Sequence, residues 1–235
     1  MHAKIQTLKK YDSQYSDLQK TRKAMEQRIW GICARFHGSK PDGSLDRKGV
    51  DELKKQVIKG DGPLLLRSMC EVFMQCLNLL SEQEKDTKKN MEKLAKDFEI
   101  YEWVKMQRGA GLFNLARIIA NANTDLNDYP GPANLWARFG LGVTDGKADK
   151  PKKGEQLTYS PARRAIIHNL GECLVKGNGY WKKVYDQRKE FEVQRQPDMT
   201  KIHAHRRAMR YMEKKFLEAM WQEWTGNERD MNLAA

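Results

Sequence analysis

Between residues 3 and 37, apolar and aromatic side chains return at alternating steps of three and four. Leu8, Tyr11, Tyr15, Leu18, Met25, Ile29, Ile32 and Phe36 fall on the a and d positions of a heptad, interrupted once by Arg22. A 3.5-residue period held this long predicts a helix of the coiled-coil kind. A long amphipathic helix lying on its own neighbour carries the same signature, and the pattern leaves both open. Arg22 inside the seam is placed to fix register or partner choice.

The run Gly38–Gly49 has the Pro, Asp and Gly chemistry of a loop, and a short helix is predicted over Val50–Lys59. Gly60-Asp-Gly-Pro63 breaks it, with Pro63 suited to the first turn of the next helix. From Leu64 to Met106 there is neither Pro nor Gly, so one helix of roughly 65 Å fits, at about 1.5 Å per residue. Leu66, Met69, Phe73, Cys76 and Leu80 make its first seam, and Met91, Leu94, Phe98 and Tyr101 resume it. The polar stretch Ser81–Asn90 between them is either a solvated helical stalk or a turn. The N-terminal helix and this one are expected to pair antiparallel as a long hairpin, or to pair across a dimer.

The second half is richer in glycine and aromatics. Asn123–Pro132 reads as a loop, Ala133–Phe139 as a short helix, and residues 145–157 as a basic surface loop or small hairpin. Ser160-Pro161 begins a helix through Ile166, Leu170 and Leu174 to Lys176, stopped by Gly177-Asn-Gly179. Another helix covers 180–194. Thr200 caps the last, Lys201–Trp224, whose Met209, Met212, Phe216, Met220 and Trp224 share one face. The predicted fold class is therefore all-α: a coiled-coil helical region over 1–100, then a compact helical domain over 101–235.

Charge changes the picture. The chain has 43 Lys plus Arg against 31 Asp plus Glu, a net charge of +12, which favours polyanionic partners. Cys33, Cys70, Cys76 and Cys173 lack CxxC spacing and read as small buried hydrophobes in a reducing compartment. Neither an apolar signal segment nor a run of 18 apolar residues is present, so a soluble, cytoplasmic protein without a membrane span is expected.

The candidate chemistry centres on Arg108-Gly-Ala-Gly111, between two apolar helical runs. Gly109 and Gly111 permit a sharp turn into a helix N-terminus, whose free amides and dipole suit a phosphate. With Lys105 and Arg108 beside it, the stretch looks like a helix-hairpin-helix, although glycine is also used merely to turn a corner. Arg163 and Arg164 stand in the first turn after Ser160, where cations oppose the helix dipole unless an anion is bound; they could equally point into water. Arg206, Arg207, Arg210 and Lys214 populate the last helix, and Lys152 and Lys153 the basic loop. His203 and His205 lie two apart on a helix and face different ways, unlike a zinc-binding pair, and His168 reads as a buried or half-buried helix residue rather than an acid or base. P-loop, Gly-x-Ser-x-Gly and His-Glu-x-x-His motifs are absent. No metal and no cofactor are expected.

The order Arg108-Gly-Ala-Gly111, Leu115–Ala120, Leu135-Trp-Ala-Arg-Phe-Gly-Leu-Gly142, Asp145-Gly-Lys147 and Ala204–Leu217 resembles the C-terminal domain of bridge-RNA-guided insertion-sequence transposases. In that family a RuvC-like DEDD domain and a coiled coil precede a helix-hairpin-helix domain. The resemblance spans about residues 64 to 224. It implies binding of nucleic acid, DNA rather than RNA, and a mobile-element context. The first hundred residues carry no RuvC-like strand pattern, and Thr144 occupies about the place of the family's catalytic serine, with Ser160 nearest. The expectation is a relative that holds nucleic acid and has lost strand cleavage, a homodimer through the N-terminal heptads. Two rivals stand beside it: a recombinase using Thr144 or Ser160 as nucleophile, and a coiled-coil scaffold whose charge is incidental.

Overall fold

The computed structural model describes residues 1–40, 42–144, 147–148, 154 and 156–226. It is all-α. The described residues form nine α-helices, a 3-10 turn at Leu126–Asp128 and one two-residue ladder, Val143–Thr144 antiparallel to Lys147–Ala148. The chain divides into two compact units, Tyr11–Asn90 and Met1–Lys10 with Met91–Ala235. The division near residue 100 read from the sequence thus falls at 90, and the first ten residues belong with the C-terminal part.

Three helices build the unit Tyr11–Asn90: α1 (His2–His37), α2 (Arg47–Lys59) and α3 (Leu64–Ala95), the first and last running beyond its limits. Ile29, Ile32 and Cys33 of α1 pack on Val50 and Val57 of α2 and on Leu66, Cys70 and Leu77 of α3. The α1 seam is therefore occupied inside the chain. Arg22, its polar interruption, donates to Glu84 of α3 at 2.8 Å and to Glu26 at 2.5 Å. Arg22 meeting Glu84 while the later Cys33 meets the earlier Cys70 makes the two helices antiparallel. Two expected seam positions fall outside: Phe36 is 45% exposed and Met69 54%. The packed face of α3 keeps Leu66 and Phe73 of the expected seam but takes Cys70 and Leu77 in place of Met69 and Cys76.

The polar stretch Ser81–Asn90 stays helical, but α3 stops at Ala95, short of the expected end at Met106. No breaker residue ends it. The helix tightens into i→i−3 bonds, Lys96 to Lys93 and Asp97 to Leu94, and buries Phe98 and Ile100 instead of continuing.

In the other unit, α4 (Tyr101–Met106), α5 (Leu112–Ala122), α6 (Pro132–Arg138), α7 (Pro161–Lys176), α8 (Tyr180–Arg195) and α9 (Lys201–Thr225) enclose one apolar core. The expected face of α9 supplies it: Met209, Met212, Phe216 and Met220 are buried, and Phe216 and Met220 line a void with Leu115 and Ile118 of α5 and Leu170 of α7. Phe216 lies 5.2 Å from the Trp181 ring and 5.5 Å from Trp103, and truncating such a side chain costs about 3–5 kcal/mol. The helix starts follow the sequence: Ser160 accepts from the Arg163 amide with Pro161 at N1, and Thr200 accepts from the His203 amide. The void between Val104, Leu115, Leu170 and Phe216 is too tight for a water molecule.

Candidate nucleic-acid interface

The two glycines of the Arg108–Gly111 corner do different work. Gly109 has φ +91°, and a Cβ there would stand 2.3 Å from the Cys173 carbonyl oxygen and 2.9 Å from Leu174 Cα. Its missing side chain therefore lets the corner lie on the end of α7, and not, as the sequence reading had it, on a ligand. Gly111 has φ +61° and is exposed, with only the Asn114 amide near its ideal Cβ, at 3.9 Å. It opens α5 without a capping side chain and without an acid in the first turn. Arg108 is exposed; Lys105 pairs with Glu102 at 3.4 Å.

A cationic feature of the described residues lies on α6, α7 and α9. Arg164 on α7 donates to the Gly140 carbonyl, and Arg210 on α9 donates to the Gly142 carbonyl, two residues along the same turn. Lys214, one helical turn after Arg210, holds its ammonium 4.9 Å from the Trp136 ring centre, while the Trp136 indole donates to the Lys214 carbonyl at 3.0 Å. Arg138 donates to the Asn121 carbonyl at 3.0 Å, and Arg163 stands near Arg138 and Tyr129. All five are half-buried. None forms an ion pair with a carboxylate of the described residues.

This arrangement is electrostatically uncomfortable. Burial, then the neighbouring Arg164, pushes the Arg210 pKa down; burial, then Arg210 and Arg164, pushes Lys214 down; burial, then Arg138, does the same to Arg163. Two unit charges about 6 Å apart repel by roughly 3 kcal/mol at an effective dielectric of 20. The fold neutralises cations elsewhere: buried Glu192 takes Arg188 at 2.5 Å and Arg207 at 3.0 Å, and Glu218 takes Lys215 at 3.0 Å. Glu213, buried on α9 between Arg210 and Lys214 in sequence, bonds His168 at 3.3 Å and favours the charged form of Arg210 without pairing with it.

The remaining sequence candidates scatter. Arg207 is engaged by Glu192 and does not line a groove; Arg206 is exposed. Lys152 and Lys153, and the Thr144 side chain, lie outside the described residues. Ser160 is committed to capping α7. His168 is not half-buried: its side chain is 52% exposed, its pKa raised by the bond to Glu213 against the effect of burial. His205 Nδ1 meets the Tyr185 hydroxyl at 2.8 Å. Among the described residues no three His, Cys, Asp or Glu side chains gather as metal ligands would. Cys33 and Cys70 are buried, and burial pushes the Cys33 thiol up to about 11, but Cys173 is exposed and Cys76 only half-buried. Arg138 was missed; its only sequence signal was adjacency to the Phe139-Gly140 turn. Lys214 was visible as the i+4 neighbour of Arg210. Compared with protein families, curated proteins and solved structures, the chain matches none.

Proposed function

We propose that the chain binds the phosphate backbone of nucleic acid through Arg138, Arg163, Arg164, Arg210 and Lys214. One observation carries this reading: half-buried Arg164, Arg210 and Lys214 stand together, with the pair Arg138 and Arg163 on helices α6 and α7, and three of the arginines bond main-chain carbonyls while none of the five pairs with a carboxylate of the described residues. Carbonyls orient the guanidinium groups without cancelling their charge, which leaves donors for a bridging phosphate oxygen. The uncapped start of α5 at Gly111, with exposed Arg108, offers a further place for a strand, and Arg206 a peripheral one. The net charge of +12 supplies long-range attraction.

DNA is the expected partner through the resemblance to insertion-sequence transposases, and the chain then serves as a strand-holding component of a mobile element in the cytoplasm. Strand cleavage is not part of the reading: Ser160 is held as a helix cap, and the sequence carries no RuvC-like strand pattern in its first hundred residues. The test is fluorescence anisotropy of a labelled duplex titrated with the whole chain at low salt, run beside a single strand and an RNA duplex of equal length. Saturable binding reversed by salt supports the proposal; absence of binding to all three sinks it.

A further inference from the structure

α3 carries a second apolar seam on its outer side. Leu65, Met69, Val72, Cys76 and Leu79 succeed one another at steps of 4, 3, 4 and 3, the a/d order of paired helices. The seam packed within the unit is the other one, Leu66, Cys70 and Leu77 with Phe73. On the outer side Leu65 is 66% exposed, Met69 54%, Val72 68% and Leu79 60%. Single surface leucines need no explanation, but a row along about four helical turns does.

We propose that two copies of the chain join here, α3 against α3, as a two-fold dimer. A two-fold interface must be self-complementary, and a heptad seam meets that requirement, since each knob enters the holes of an identical stripe. With Leu64 these residues expose roughly 600 Å² per copy, so their complete burial in a pair would reach about 1,200 Å², the lower edge of specific interfaces. Charge selects the occupant. From Leu64 to Leu80 the charged residues are Arg67 and Glu71, net zero in a chain of +12, so two copies meet here without repulsion. Ser68 and Gln75 on the flank are uncharged. A lipid surface or a polyanion finds no basic border along this stripe. The 18-residue apolar window of α3 does reach a mean hydropathy of 1.2 and is 17% buried. Yet its inner seam is already packed on α1 and α2, and polar Ser68, Gln75 and Asn78 share the stretch. The α1 heptads, first expected to join two copies, are engaged inside the chain. This inference is independent of nucleic-acid binding.

Analytical ultracentrifugation of the whole chain at tens of micromolar tests it, with Val72→Glu and the milder pair Leu65→Gln/Val72→Gln. Both sites are exposed, so neither change enters the core, and circular dichroism verifies the helices. The wild type is expected at twice the chain mass, with either variant raising the dimer dissociation constant at least about thirtyfold. A monomeric wild type overturns the proposal. So does a dimer that survives both variants, or a monomer that floats with neutral lipid vesicles and loses that property on substitution.

Discussion

Arg210 on α9 stands beside Arg164 on α7, each guanidinium bound to a main-chain oxygen of one short turn, Gly142 and Gly140. Like charges in that position disfavour the free protein, and under the proposed function a phosphate oxygen would convert the repulsion into charge-assisted hydrogen bonds. The proposal thus sets stability and binding against each other at the same residues.

That opposition can be measured. Arg163→Gln and Lys214→Gln remove cations that no carboxylate of the described residues balances, so each should leave the free chain unharmed or raise its stability by about 0.5–1 kcal/mol, a gain of roughly 1–3 °C in Tm. Differential scanning calorimetry without nucleic acid is the check. A loss above 1 kcal/mol for both would make these side chains structural.

The two corner glycines are expected to separate. Gly109→Ala drives a methyl into the Cys173 carbonyl and should cost about 3 kcal/mol or more, seen as a large drop in urea midpoint. Gly111→Ala meets open space and bears only the strain of φ +61°, about 1–2 kcal/mol, so the chain should remain folded.

His168 and Glu213 make a pH-dependent contribution. The histidine's folded pKa is raised above 6.5, so its share of stability is full below pH 6.5 and is lost as pH climbs through the folded value. His168→Gln should flatten the Tm profile across that window, and an NMR titration of the ring should locate the raised value. A profile unchanged by the substitution would refute the linkage.

Glu192 behaves oppositely. Burial pushes its carboxyl up, but the bonds from Arg207 and Arg188 outweigh this and hold it below 4.5. Its stabilisation is present above pH 4.5 and disappears as pH falls through the lower folded value. Glu192→Gln should cost about 2–3 kcal/mol at pH 7 by chemical denaturation, and little in acid.

Local chemistry was legible in the sequence wherever one residue decides it. Ser160 and Thr200 cap helices, Pro161 begins one, and the Met and Phe positions of α9 form core. What depends on distant partners was not. The end of α3 at Ala95 has no Pro or Gly to announce it, because burial of Phe98 and Ile100 turns the chain. Arg207 and Arg210 look alike on one basic helix, yet Glu192 on α8 neutralises the first while the second donates to the Gly142 carbonyl. Gly109 reads as a turn residue for a ligand until α7 is seen pressed against it.

Salt dependence of duplex binding by the wild type and by Arg163→Gln/Lys214→Gln tests the cationic cluster most directly. If these side chains hold phosphates, the wild type should show a steep negative slope of log affinity against log salt. The double variant should bind about tenfold or more weakly, with the slope shallower by nearly two. Equal slopes and equal affinities for the two proteins would contradict the cluster as the place where nucleic acid is held.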